Sequence, residues 1–241
     1  MASVTLVTFD LDNTLWDVDR VVRRAEERMR TWIRERVPVF DERFPPEMMA
    51  GLRTSVLAAE PALRHDLSKF RERLLFVALC QCDLAEAVAA DLAAGAFAEF
   101  YAARHDVEYF PDALSTLAVL SQRFALAALT NGNADFKRLG LDRYFAFGFN
   151  AATVGASKPA PDMFEAALRR AGAAPARAVH VGDHLVDDVQ GAAAVGMHTI
   201  WVNFSGDSPA SGTTAPSREV RRLADIPSAV EAINAALRES R

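Results

Sequence analysis

Asp10 and Asp12 stand two residues apart, directly after the apolar and β-branched run Val4-Thr5-Leu6-Val7-Thr8-Phe9. Such a run reads as a buried strand, and open α/β sheets gather their chemistry at the C-terminal ends of parallel strands. Two carboxylates this close raise each other's pKa unless a positive charge intervenes. A hard divalent cation meets that need, and Mg²⁺ is commonly held by one or two carboxylates together with substrate phosphate oxygens. The same spacing also fits a solvated acidic turn, so its meaning depends on the rest of the chain.

Three further clusters bear on it. Thr130-Asn131-Gly132-Asn133 follows the apolar run 124–129, Gly182-Asp183 follows the run 178–181, and Lys158-Pro159 precedes a helical pattern. A parallel sheet brings such strand ends to one edge, where each residue has a task in phosphoryl transfer. Asp10 can take up the phosphoryl group as a nucleophile. Asp12 can protonate the departing alkoxide and then deprotonate the incoming water. Thr130 and Asn131, with a helix N-terminus expected beyond them, can hold phosphate oxygens, and Lys158 supplies a point positive charge. Asp183 completes a cation site, and Asp188 can anchor a metal-bound water or Lys158. Singly, these are also an ordinary turn, a solvated lysine, a loop start and acidic residues favouring a helix N-terminus. It is their joint occurrence at strand ends that favours chemistry.

The elements that must position them alternate. Strands are expected at 4–9, 124–129, 146–150, 178–181 and 198–202. Helices are expected at 111–122, 162–171, 186–195 and 227–240, with a short helix and turn through Gly140 and a loop over 205–217. This alternation implies a Rossmann-like, doubly wound parallel sheet covered on both faces. Between its first two strands the pattern is wholly helical, at 17–37, 47–60, 67–82 and 84–104. That composition shift marks an inserted helical domain, 16–105, within an α/β core made of 1–15 and 106–241.

A net charge of −5 argues against a polyanion-binding surface, and the basic helix at 20–36 interleaves Arg with Glu as a solvated face does. No nucleic-acid partner is expected. Nor is a membrane, since no apolar span of membrane length occurs and Asp10 and Asp12 interrupt the N-terminal apolar run. Cys80 and Cys82, in an expected helix, are poorly placed to pair or chelate together. A cytoplasmic protein, monomeric or weakly dimeric, is the expectation. His105, His180 and His198 read as structural, the last two inside apolar strands. His184 either touches a metal-bound water or faces solvent.

The segments Asp10-Leu11-Asp12-Asn13-Thr14, Thr130-Asn131-Gly132-Asn133, Ser157-Lys158-Pro159 and Gly182-Asp183-His184-Leu185-Val186-Asp187-Asp188 resemble, in order, the four motifs of the haloacid dehalogenase-like superfamily, and the helical block resembles its C1-type cap. The resemblance implies Asp10 as nucleophile, Asp12 as acid and base, and Thr130, Asn131 and Lys158 as phosphate ligands. It implies Mg²⁺ held by Asp10, the Asp12 main-chain oxygen and Asp183, with Asp188 behind them and Thr14 shaping the first loop. Dehalogenases of the superfamily lack the second aspartate, so Asp12 favours a metal-dependent phosphatase acting on a small phosphorylated metabolite. Glu60-Pro61, His65-Asp66, Thr130-Asn131-Gly132-Asn133-Ala134 and the region Phe136 to Phe147 are similar to bacterial phosphatases of 5-amino-6-(5-phospho-D-ribitylamino)uracil and FMN in riboflavin biosynthesis. A sugar-phosphate or nucleotide phosphatase, and a phospho-acceptor signalling module without turnover, are the alternatives. Substrate selection is expected from the cap and its approach: Trp16, by stacking on a flat ring or by hinge packing, and Arg64, His65 and Asp66, the last two with helix capping as the other reading.

Overall fold

Residues 18–107 form helix and turn without a strand, for reasons visible in the spacing of their apolar side chains. In α1 (Val18–Arg34) the buried residues are Val21, Ala25, Met29 and Ile33, one every four positions, the stripe that lets a helix dock on a neighbour. After it come α2 (Phe40–Arg43), α3 (Pro46–Ala59), α4 (Leu67–Cys80) and α5 (Glu86–Arg104). The buried positions of α5 are mostly alanine, Ala89, Ala93 and Ala96 among them. Small side chains allow α1 close to α5, and Gly95 leaves room for Trp32: a Cβ there would lie 2.6 Å from the indole. Phe100 is buried in the core of this unit, with the Arg71 guanidinium 3.6 Å over its ring. Truncating Phe100 to alanine would cost about 3–5 kcal/mol.

This is a computed structural model. It describes residues 3–209 and 212–239 and divides into two units, residues 18–107 and residues 1–17 with 108–241. Each boundary falls two residues later than the sequence suggests. Cys80 ends α4, while Cys82 lies in the turn beyond it, buried, so the two do not share a helix as expected. Among the described residues no helix is long and apolar enough to cross a membrane.

Among the described residues the second unit is built on six parallel strands in the order β3-β2-β1-β4-β5-β6. They are β1 (Leu6–Phe9), β2 (Ala125–Thr130), β3 (Phe147–Asn150), β4 (Ala178–Gly182), β5 (His198–Val202) and β6 (Arg218–Val220). The helices of this unit are α6 (Ala113–Ser121), α7 (Ala151–Val154), α8 (Asp162–Ala171), α9 (Gly191–Ala194) and α10 (Ile226–Glu239). All four residues of β1 are buried, between β2 on one side and β4 on the other. The chain fills one side of β1 with β2 and β3, then crosses to the other for β4 to β6. The strand order therefore reverses at β1/β4, the position at which such sheets open a crevice for ligands.

Local chemistry redirects several expected elements. No helix follows Thr130: residues 136–140 are turns and Leu141–Arg143 is a single 3-10 turn. The Asp135 carboxylate takes the main-chain N–H of Lys137 (2.8 Å) and of Arg138 (3.4 Å), a local competitor of helix formation. The helix expected over 186–195 is a wide π turn, Leu185–Gln190, followed by α9. It ends as expected at Gly196, in the left-handed region with φ 85°. Strand β6 was not legible, being three residues long with two exposed. The short α7 is held by a reciprocal Asn150/Thr153 capping box. Helix α10 ends at Glu239; Ser240, its expected end, lies outside the described residues, as do 210–211 of the expected loop.

Candidate active site

The register places the chemistry. Phe9 pairs with Ala128 on β2 and with Val181 on β4, so Asp10 emerges between the ends of those two strands, its N–H bonded to Val181 O at 2.8 Å. Lys158 reaches the same point from the loop before α8. Its ammonium, buried, donates to Asp10 Oδ1 (2.7 Å), Asp188 Oδ1 (2.6 Å) and Leu129 O (2.9 Å). The Thr14 hydroxyl lies between two carboxylates, 3.3 Å from Asp10 Oδ2 and 3.2 Å from Asp183 Oδ1. Trp201 Nε1 fixes the Asp183 carbonyl at 2.8 Å. A cavity of about 170 Å³ is lined by Asp10, Asp12, Thr130, Lys158, Asp183 and Asp188, among others.

Carboxylate oxygens of Asp10, Asp183 and Asp188 all lie within 4.8 Å of one another. Three carboxylates against one ammonium leave two formal negative charges in a largely buried place. The acids respond accordingly. Burial pushes Asp10 well above the usual carboxylate range, with Asp188 and Asp183 adding to the rise and Lys158 opposing it. Asp183 is pushed up to about 6, chiefly by burial and then by Asp188. Burial would raise Asp188 too, but Lys158 and His180 outweigh it and hold that carboxyl below its ordinary value. Lys158 stays charged because Asp10 and Asp188 outweigh its burial. A charge deficit of two, lined with hard oxygen donors, fits a divalent cation such as Mg²⁺.

The Asp12 carboxylate accepts the Trp16 indole N–H at 2.9 Å. Trp16 itself is fully buried and meets Tyr109 edge-on, centroids 5.8 Å apart. That corrects the stacking expectation, since no face of the ring is open to a substrate; it packs the loop and aims Asp12. The Thr130 hydroxyl accepts the Gly132 N–H (2.9 Å) and keeps its own proton to donate. Asn131 departs from its expected role. Its Oδ1 accepts Lys158 N–H (2.7 Å), while Nδ2 donates to Lys158 O (3.0 Å) and Asp187 Oδ2 (3.2 Å). With both amide protons spent, the side chain clamps the Lys158 backbone instead of offering a donor to phosphate.

His184 Nδ1 accepts the Asp187 N–H at 3.0 Å, capping the π turn with a side chain that is 59% exposed. In the helical unit Asp66 caps α4 through Lys69 N–H (3.0 Å), the other reading of that residue, and Arg64 Nε bonds back to Pro61 O (2.9 Å). His65, with them, sits in the 3-10 turn Pro61–His65. Sequence reasoning passed over His180, whose ring joins Asp188 to Thr8. The signal was there: Thr8 and His180 are the polar members of two neighbouring apolar strands and are paired in register.

The family model described as haloacid dehalogenase-like hydrolase matches residues 4–196. Among curated proteins, the 5-amino-6-(5-phospho-D-ribitylamino)uracil phosphatase YigB of Escherichia coli (strain K12) is 32% identical over 95% of this chain and 98% of its own. A phosphoserine phosphatase of Thermus thermophilus is 35% identical over 65% of this chain and 64% of its own. Among solved structures, a 2-haloacid dehalogenase from Pseudomonas syringae pv. Tomato DC3000 matches with TM-score 0.91 and 40% identity, covering 95% of this chain and 99% of that one.

Proposed function

The chain belongs to the haloacid dehalogenase-like hydrolase family, and from that premise we propose that it is a Mg²⁺-dependent phosphomonoesterase working through an aspartyl-phosphate on Asp10. The observation that carries this reading is the second carboxylate. Asp12 lines the same cavity as Asp10 and is held by the Trp16 N–H, which suits a group that must hand a proton to an oxygen leaving group; displacing a halide from carbon needs no such acid.

In the first half-reaction an Asp10 oxygen attacks phosphorus, the bond from phosphorus to the ester oxygen breaks, and Asp12 gives its proton to the departing alkoxide. In the second, Asp12 takes a proton from water, the water oxygen bonds to phosphorus, and the Asp10 acyl-phosphate bond breaks to release inorganic phosphate. Lys158 and the Thr130 hydroxyl face the charge that develops on the transferring group. Mg²⁺ held by Asp10, Asp183 and the Asp12 main-chain oxygen, with Asp188 behind them, would screen the nucleophile from the phosphate dianion. The cavity of about 170 Å³ is below the range of about 300–1,000 Å³ of pockets that enclose whole ligands. It suits the phosphoryl group alone, and the leaving group is selected outside it.

The relative from Escherichia coli, similar over nearly its whole length, supports 5-amino-6-(5-phospho-D-ribitylamino)uracil, with FMN as a related ester, as the substrate. Sugar phosphates and nucleotides remain alternatives within the class. The 40% identity to the Pseudomonas syringae protein favours a second reading, hydrolysis of a 2-haloacid. One panel separates them: the ribitylaminouracil phosphate, FMN, nucleoside monophosphates, sugar phosphates and 2-chloropropionate, assayed for phosphate and chloride with and without Mg²⁺. Phosphate release that depends on Mg²⁺, without chloride release, is expected. Chloride release with inert phosphate esters would overturn the proposal.

A further inference from the structure

We propose that His180 is a positioning residue, whose imidazole aims the Asp188 carboxylate at Lys158 and thereby pins the Lys158 ammonium beside Asp10. The inference rests on the phosphatase reading for its kinetic consequence, though not for its geometry.

A hydrogen-bonded chain runs through the buried floor of the site. Thr8 Oγ1 lies 2.7 Å from His180 Nδ1, His180 Nε2 lies 3.1 Å from Asp188 Oδ1, and that same oxygen receives Lys158 Nζ at 2.6 Å. Lys158 then bonds Asp10 Oδ1 at 2.7 Å. The chain fixes the tautomer. An acceptor nitrogen cannot face the Asp188 carboxylate, so Nε2 carries the proton and Nδ1 accepts from the Thr8 hydroxyl. The Phe164 ring meets the imidazole edge-on, with centroids 5.1 Å apart.

Asp188 needs such a brace. Its Oδ2 accepts the His184 main-chain N–H at 3.0 Å, and it lies so close beneath Gly182 that a Cβ on that residue would fall 2.3 Å from the carboxylate. Among the described residues, His180 is the side chain other than Lys158 that bonds it. Without the imidazole, Oδ1 answers to Lys158 alone, and the carboxylate can turn toward the cation region, leaving the ammonium less firmly held. Partners of this kind that orient the groups around a metal or a reacting centre change affinity or activity by about 10–100-fold when removed.

The test compares His180→Leu, which removes both ring hydrogen bonds, with His180→Gln, whose amide can still donate to Asp188. The chain has only three lysines, Lys69, Lys137 and Lys158, of which Lys158 is buried. In protein labelled with ¹⁵N-lysine its ammonium should give the slowly exchanging signal. That signal should persist in His180→Gln and broaden or vanish in His180→Leu. With p-nitrophenyl phosphate, kcat should fall about 10–100-fold in His180→Leu and recover to within about threefold of wild type in His180→Gln. A purely structural role would lower the melting temperature and leave kcat of the folded enzyme unchanged. An intact ammonium signal and wild-type kcat in His180→Leu would overturn the proposal, as would a loss that glutamine does not restore. Should His180→Leu not fold, Thr8→Val removes the hydroxyl behind the ring and must move both readouts the same way. In wild type, ¹⁵N-histidine spectra must show the Nε2–H tautomer for His180; a proton on Nδ1 overturns the proposal. Wild type inert toward every phosphate ester would count against the phosphatase reading alone, because the lysine and histidine signals still decide this one.

Discussion

Replacing Asp183 with asparagine should make the metal-free protein more stable while removing its function. Asp183 is pushed up to about 6 from an ordinary 3.8. Its folded-state carboxyl therefore keeps its proton through a window in which the unfolded chain has released it. Stability falls as pH rises through that window, and above about pH 6 the full penalty of the extra charge is present. At about 1.4 kcal/mol per pH unit the penalty is about 3 kcal/mol, and partial exposure of the side chain reduces it to about 1–3 kcal/mol. Asparagine keeps the shape and still accepts the Thr14 hydrogen bond through Oδ1, so the penalty is lifted without a new cavity. Denaturant unfolding with EDTA at pH 8, read by fluorescence of Trp16, Trp32 and Trp201, should show Asp183→Asn more stable than wild type by that amount. At pH 3.5 the difference should vanish. Saturating Mg²⁺ should reverse the order, since a ligand at about a thousandfold excess over Kd adds about 4.1 kcal/mol to the form that binds it. A variant less stable than wild type in EDTA at pH 8, or equally stabilised by Mg²⁺, would refute the electrostatic reasoning.

Other outcomes follow from single contacts. Asp10→Asn should fold and show no phosphatase turnover; measurable kcat would remove Asp10 from its role. Gly182→Ala should lose about 10²-fold or more in kcat, because its Cβ cannot coexist with the Asp188 carboxylate at 2.3 Å; wild-type kinetics would contradict that packing. Asn131→Ala should lower kcat about 10–100-fold by releasing the Lys158 backbone, an effect absent if the amide served only as a turn residue. Trp16→Ala should cost about 3–5 kcal/mol of stability, measured by chemical unfolding followed at Trp32 and Trp201, and should shift KM for FMN and for glycerol phosphate alike, since the ring is fully buried.

Much of the architecture was legible because it rests on local signals. The apolar run before Asp10, the four-residue recurrence of Val21, Ala25, Met29 and Ile33, and the glycine at 196 each report a single element. The three strand-end clusters were legible for the same reason, and a parallel sheet converts them into one site. Most of what stayed hidden depends on partners distant in sequence. The amide of Asn131 looks like a phosphate ligand until the Lys158 backbone, 27 residues away, occupies it. The exposure of Trp16 could not be known before Tyr109 and Asp12 enclosed its ring. The helix expected after Thr130 lost to the Asp135 turn, a competition between two local signals that composition does not rank. His180 looked structural because its strand is apolar, and only its pairing with Thr8 and its reach to Asp188 connect it to the chemistry.

The central claim is a phosphoryl group carried by one side chain, and mass spectrometry can look for it directly. Enzyme mixed with Mg²⁺ and a hydrolysed phosphomonoester should be quenched in acid within the first turnover and digested, and its peptides mapped. The expected result is the mass of one phosphoryl group on Asp10 in wild type, absent in Asp10→Asn. Turnover with no phosphorylated peptide at any quench time, or the label on another residue, would contradict it.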